Sequence, residues 1–507
     1  MSIAILTSRA QIGTDAPPVT IEVFLSGGLP TFSIVGMAET AVRESKDRVR
    51  GAILTSGFNF HEGRITVSLG PADMRKTGGR FDLAIALGIL AASKLIPRQS
   101  LDDQEFYGEL ALNGDLRRVP GMLCAALRAR EASNSMIVPS DNGAEAALAG
   151  AEVRVAKTLL EVTAHLHGSC AVELLPLPAP APVVYGGPDL SDVKGQAQAK
   201  RALEIAAAGG HNLLLIGPPG TGKSMLARRV AGILPLMTEA ESLQTAAIDS
   251  VLGIPIDLSR WRQRPFRSPH HTASAPALVG GGAGPRPGEI SRAHHGVLFL
   301  DELPEFNRNV LEVLREPLEA GTITISRAGQ QCDFPADFQL VAAMNPCPCG
   351  YLGDVRGDCR CSGERVATYR SKISGPLLDR FDLHVEVGRP PSKALRAHAK
   401  GGESSQTVAA RVSKARALAM ERNGVCNAKM QGDQIARACR ASDECWELLE
   451  GAAERFSLSA RGYHRVLRVA RTIADLAGGS EITVANVAEA LSLRQLDRVR
   501  GFGRDRA

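Results

Sequence analysis

Hydrophobic positions fall into three patterns along the chain, and each predicts a different element. Ile21-Glu22-Val23-Phe24-Leu25 and Ile65-Thr66-Val67-Ser68-Leu69 alternate like strands. The segments Phe81 to Ala92 and Met122 to Glu131 read as helices, so residues 1–172 are expected to form a mixed α/β domain. Uninterrupted apolar runs come next, Leu213 to Ile216 and Val297 to Leu300, and these read as buried strands of a parallel sheet. Helices are expected over Ala197 to Ala208, Met225 to Ile233 and Arg308 to Glu319. Gly321 to Cys332 alternates β-branched residues around Arg-Ala-Gly-Gln and reads as a hairpin with Arg327 at its tip. Near the C-terminus, Val466, Leu467, Ala470, Ile473 and Ala474 make the apolar face of a helix within Leu458 to Asp475, with Arg461, Arg465 and Arg468 on another face.

Two breaks divide this pattern. Leu174 to Pro182 is rich in proline and alanine and forms an extended, fairly stiff spacer. Gly401-Gly402 separates a last helical segment. The expected organisation is residues 1–172, a linker 173–187, a core 188–400 with a parallel sheet, and an α-helical lid 401–507.

Chemistry is concentrated in the core. Gly217-Pro218-Pro219-Gly220-Thr221-Gly222-Lys223-Ser224 stands between an apolar strand and a helix, the context a phosphate-binding loop requires. Its glycines let backbone N–H groups turn toward phosphates, and the helix N-terminus adds partial positive charge. Lys223 is placed to reach the β- and γ-phosphates of ATP, and Ser224 to ligate Mg²⁺. About 80 residues later the run Val297 to Leu300 ends in Asp301 and Glu302. A carboxylate pair at the ligand edge of a parallel sheet can hold the metal through water (Asp301) and polarise the attacking water (Glu302). Together the two motifs predict an ATP hydrolase.

Between them, Arg262 to Gly284 contains RPFRSPHHT and VGGGAG and reads as a mobile functional loop. His270 and His271 are adjacent and show no catalytic pattern. After the strand Phe338 to Met344 come Cys347-Pro348-Cys349 and Cys359-Arg360-Cys361, four cysteines that match the count of a structural Zn²⁺ site, though spaced C-x-C.

With 507 residues the chain exceeds one core, and 44% hydrophobic and 22% charged residues are ordinary for a globular protein. Aromatics at 4% exclude extensive base-stacking platforms. With no uninterrupted apolar span of membrane length and no basic, apolar leader, a cytoplasmic location without membrane contact is expected, and the ten cysteines then read as thiols or metal ligands. The net charge of +5 is matched by the stretch from Ser405 onward, where 17 Lys and Arg face 12 Asp and Glu.

Gly108 to Leu116 and Lys76 to Asp82 resemble two stretches of the Lon-protease-like fold. By that resemblance Arg80 stands at the nucleophile position and Leu123 near that of the catalytic lysine, so no Ser–Lys dyad can operate. Arg75, Lys76 and Arg80 then read either as a phosphate-backbone contact or as a solvated basic loop.

The combination of GPPGTGKS, GVLFLDEL, MNPCPCGY and SGPLLDRFD, over essentially the full length, resembles the magnesium-chelatase-like AAA+ proteins and most closely the ComM/YifB branch. The resemblance implies a helix-2 insertion and a pore-side hairpin carrying Arg327 as a DNA contact. It makes Asn345 the γ-phosphate sensor, a position that alone reads as a strand-ending Asn-Pro turn. Arg380 matches the arginine finger, worth about 10³ or more in turnover, and Arg461 the second sensor. Lys372 departs from the arginine expected there and lacks its bidentate fork. The implied function is a homo-hexameric DNA motor for branch migration or unwinding of branched or single-stranded recombination intermediates in natural transformation, working with recombination proteins. The competing expectations are a remodeller of the magnesium-chelatase type and, more weakly, an accessory protease subunit.

Overall fold

A computed structural model of the chain describes all residues except 1, 38, 180–185, 283, 328–329, 355–356, 391–401, 495 and 497–507; the side chains of Arg327 and Gln330 also lie outside the description. Its contacts separate two units. One comprises Met1–Pro182, Glu239–Trp261 and Ser326–Asp333; the other comprises Val183–Thr238, Arg262–Ile325 and Phe334–Ala507.

An eight-stranded mixed sheet organises the first unit. In spatial order its strands are Glu173–Leu174, Val153–Ala156, Ser135–Pro139, Gln104–Phe106, Ser2–Arg9, Pro18–Ser26, Arg64–Gly70 and Thr31–Val35. Pro18–Ser26 runs antiparallel to both of its neighbours. Its period of two sends Val19, Ile21, Val23 and Leu25 into the core and leaves Thr20, Glu22 and Phe24 exposed. The helix Asp82–Ala92 is buried at every residue and lies so close to the sheet that a Cβ on Gly88 would stand 2.5 Å from Val23 Cγ2.

The helix Met122–Glu131 packs against Glu239–Val251, and Leu123, Cys124, Ala246, Ala247 and Trp261 share one core. Leu123 N–H donates to Ser250 Oγ at 3.2 Å, and Ser250 donates in turn to the Glu145 carboxylate. The part of the ATPase sequence that joins this unit is therefore Glu239–Trp261, upstream of the loop expected at Arg262 to Gly284. That later stretch instead supplies an edge strand, Phe266–Arg267, and a short helix, Ala275–Val279, to the second unit.

The phosphate-contact reading of the basic loop is corrected for two of its three cations. Arg80 is 3% exposed and donates to Arg9 O at 3.2 Å and to Pro120 O. Lys76 is buried with its ammonium on Pro71 O. Loop carbonyls without a ladder partner must be satisfied somehow once buried, and these side chains do it.

The second unit carries a five-stranded, all-parallel sheet in the order Phe266–Arg267, Val297–Leu300, Gln339–Met344, Leu213–Ile216, Leu383–Glu386. Every residue of Val297–Leu300 and Gln339–Met344 is buried, as expected of strands covered on both faces. The predicted helix Arg308 to Glu319 is two helices, Arg308–Glu312 and Arg315–Ala320. Pro317 has no N–H to donate one turn back, so the ladder stops before it and restarts. The C-terminal helices Ser405–Asn423, Asp443–Arg455, Ala460–Ala477 and Val484–Ser492 follow. Val466, Leu467, Ala470 and Ile473 are buried as the sequence pattern requires, in one core with Ala202, Ile205 and Leu213. Arg201 to Glu489 (2.8 Å) and Arg411 to Glu204 (2.7 Å) fix these helices to Ala197–Gly209. Among the described residues no helix is long and apolar enough to cross a membrane.

Candidate functional site

Parallel strands end at the same edge, and register decides which residues meet there. Ile216 pairs with Met344 and Glu386, and Leu300 with Ala342, so Gly217, Asp301 and Asn345 emerge side by side. The loop after Ile216 turns through Gly220 (φ 76°) and Gly222 (φ 90°), left-handed values that glycine adopts without strain. The helix Lys223–Arg229 starts directly on Gly222.

Lys223 Nζ donates to Gly217 O (2.7 Å), Pro218 O (2.9 Å) and Asn345 Oδ1 (3.1 Å), which joins the phosphate loop to the predicted sensor. Burial pulls its pKa down, and Asp301 and Glu302 oppose the shift. Ser224 Oγ donates to Asp301 Oδ2 at 2.5 Å. A hydroxyl beside a carboxylate is a pair of hard oxygen ligands, and it fits Mg²⁺.

Glu302 has φ 54° and ψ 47°, a left-handed backbone rare for a residue with a Cβ and typical of functional positions. Its carboxylate is 55% exposed, with His271 Nδ1 3.5 Å from Oε2. His271 packs on His270 with ring centroids 4.2 Å apart and the planes tilted by 33°, and meets Phe306 edge-on at 6.5 Å. Sequence reasoning dismissed this histidine. Its only signal is position shortly after the edge strand, which is visible once the sheet order is known.

The four predicted cysteines converge. Cys347, Cys349, Cys359 and Cys361 place their sulfurs within 4.8 Å of one another, with three pairs at 3.3, 3.6 and 3.7 Å. Zn–S bonds of about 2.3 Å in a tetrahedron separate sulfurs by roughly 3.8 Å, so the donor set fits Zn²⁺. The Tyr351 backbone N–H, and then Cys347, push the Cys349 thiol down to about 6, while at Cys359 and Cys361 a backbone N–H is outweighed by burial and the neighbouring sulfurs of Cys349 and Cys347, which raise both thiols. Gly350 of the same loop abuts the phosphate loop, since a Cβ there would lie 2.6 Å from Pro219 Cδ.

Arg380 and Arg461, two of the three predicted site arginines, meet elsewhere in this unit. Arg380 forms an ion pair with Glu319, and Arg461 Nη1 lies 4.0 Å from the same carboxylate oxygen. Both line a cavity of about 790 Å³ that also receives Arg465, Arg468 and Lys429. Asp382, two residues past Arg380, is buried between Arg465 Nε (3.3 Å) and His211 Nδ1 (3.4 Å). Burial would raise its pKa, but His211 and Arg465 hold it below the ordinary carboxylate value. Arg327 ends the strand Thr322–Arg327, which forms a two-stranded sheet with Gln330–Pro335.

Comparison with known proteins matches residues 189–395 to the family described as magnesium chelatase, subunit ChlI, and residues 402–494 to its C-terminal family. Residues 21–142 match the family described as subunit ChlI of Mg-chelatase. The chain is 49% identical over 507 residues to competence protein ComM of Haemophilus influenzae, covering 98% of this chain and 99% of that one. It is likewise 49% identical over 501 residues to the uncharacterized protein YifB of Escherichia coli, covering 98% of each. Similarity to the magnesium-chelatase 38 kDa subunit of Cereibacter sphaeroides is 26% over 228 residues, 39% of this chain and 58% of that one.

Proposed function

The chain belongs to the ComM/YifB family of magnesium-chelatase-like AAA+ proteins, and on that premise we propose that it is an ATP-driven, homo-hexameric DNA motor that promotes branch migration or unwinding of recombination intermediates in natural transformation. The observation that carries the ATPase part is the gathering of Lys223, Ser224, Asp301, Glu302 and Asn345 at one sheet edge. DNA as the track is supported by the competence relative and by a hairpin ending its first strand in Arg327.

Bound ATP with Mg²⁺ supplies the phosphoanhydride and the Lewis acid. The chain does the rest. With nucleotide bound, Lys223 would exchange the Gly217 and Pro218 carbonyls for phosphate oxygens, Ser224 and Asp301 would hold the Mg²⁺, and Glu302 would take the proton of the attacking water. Asn345 orients that water from beside Lys223. Arg380 reaches the nucleotide of a neighbouring copy, and its contact with Glu319 beside Arg461 supports a shared role for both arginines there. The four cysteines would hold a structural Zn²⁺, which their converging sulfurs fit.

A second reading, a protein remodeller of the magnesium-chelatase type, is favoured by the similarity to the 38 kDa subunit. A labelled four-way junction separates the two. Under the motor reading, purified protein separates the junction into its uncut arms with ATP and Mg²⁺ and fails with a non-hydrolysable analogue. A junction left intact under both conditions defeats that reading.

A further inference from the structure

The cavity beside Arg380 carries more cations than its carboxylates answer. Asp382 is engaged by Arg465 and His211, and the Asp337 carboxylate is taken by Lys429. Glu319 is left for Arg380 and Arg461 together. The Arg380 side chain is only 9% exposed, yet its Nε has no hydrogen-bond partner among the described residues, and neither does Nε of Arg468 on the same cavity. Leaving a buried donor unmet is unfavourable. Two of them on one cavity indicate a site for an anion with several acceptor oxygens, and a phosphate group has that form.

Glu319 does not complete the site. It sits near the end of the short helix Arg315–Ala320, 58% exposed, and one of its oxygens serves both arginines. Water reaches the Glu319 side of this pair and screens it, so the contact is a weak one. The crowding is also unfavourable for the cation: burial lowers the Arg380 pKa, with Arg315 and Arg461 adding to the effect against Glu319.

We infer that Glu319 is the resident counter-ion of a phosphate-binding cavity: it holds Arg380 and Arg461 in the single protomer and yields them to the terminal phosphate of a nucleotide presented by a second copy of this chain. The inference rests on the trans-acting role proposed above for Arg380. Glu319 is thus a positioning residue, and its hold reduces the apparent strength of assembly by the fraction of protomers in which the arginines are occupied.

The test is ATP hydrolysis per subunit measured across protein concentration at saturating ATP and Mg²⁺, for wild type, Glu319→Gln, Glu319→Ala and Arg380→Ala. In both Glu319 variants the half-maximal protein concentration should fall about threefold to fivefold. Their KM for ATP at saturating protein should stay at the wild-type value, because each copy's own phosphate loop is untouched. An unchanged or raised midpoint in both, with thermal melts matching wild type, overturns the inference. If Arg380→Ala has lost turnover in that same experiment, the trans role survives and only the part played by Glu319 is lost. If Arg380→Ala retains full turnover, the underlying reading of the finger fails and this inference falls with it.

Discussion

Lys223 Nζ lies 2.7 to 3.1 Å from three oxygens, two on its own loop and one on Asn345. Under the proposed function that ammonium binds phosphate, whereas Glu302, exposed and turned by a left-handed backbone, touches none of those oxygens. The two residues therefore fail differently. Lys223→Ala should weaken ATP binding about 10- to 100-fold, the value of hydrogen bonds to a charged group, as read by titration of a fluorescent nucleotide. Glu302→Gln should bind that nucleotide as wild type does, while turnover drops by about 10²- to 10⁴-fold. Equal affinity in Lys223→Ala and wild type, or normal turnover in Glu302→Gln, would remove the assignment of the residue concerned. His271, 3.5 Å from the Glu302 carboxylate, is the residue at this scale that sequence reasoning passed over.

Among the elements, the helix Ala460–Ala477 and the turn around Asp382 are joined through buried charge. Asp382→Asn leaves Arg465 without its carboxylate and should cost about 3–5 kcal/mol, seen as a lower unfolding midpoint. The sign of the pH effect follows from the depressed pKa. The carboxylate's contribution is present above the ordinary value of 3.8 and is lost as the pH falls through its lower folded value. A melt unchanged by the substitution would contradict the pairing. In the cysteine loop, elemental analysis of protein purified without chelator should find about one zinc per chain, and none after Cys347→Ser with Cys359→Ser. Four freely titrating thiols in metal-free native protein would end that assignment.

What was legible in the sequence at this scale was what the chain writes contiguously. The phosphate loop, the Asp301-Glu302 strand end and the strands Pro18–Ser26 and Val297–Leu300 each carry their signal within a few residues. The alternation or apolar run that predicts such a strand is the same one that buries it. Contacts between distant segments were not legible. His271 meets Glu302, Glu319 meets Arg380, and Ser250 meets Leu123 only through the fold. Composition misled at Lys76 and Arg80, where charge suggested solvent or phosphate and burial against carbonyls was found. Pro317 was a local signal that the 3.6-residue periodicity of Arg308 to Glu319 masked.

For the whole molecule, the motor proposal separates two of the arginines that the sequence marks outside the phosphate loop, Arg327 and Arg380. Arg327→Ala should keep basal hydrolysis and lose DNA binding, since the proposal makes DNA phosphate its partner. Arg380→Ala should keep ATP and DNA binding and lose about 10³-fold or more in turnover, since its partner is a neighbour's nucleotide. Paired curves of hydrolysis and fluorescent-DNA binding check both, and DNA binding that survives Arg327→Ala would take the hairpin out of the grip. A mild overall charge of +5 makes DNA attraction a matter of local placement, so binding alone is a weaker criterion than response. The most direct measurement is the ATP hydrolysis rate of the intact protein without DNA and with single-stranded, duplex and four-way-junction DNA at fixed salt. The motor account predicts a rate that rises with DNA, most with the junction or single strand; a rate indifferent to all three would contradict it and leave the remodeller reading in its place.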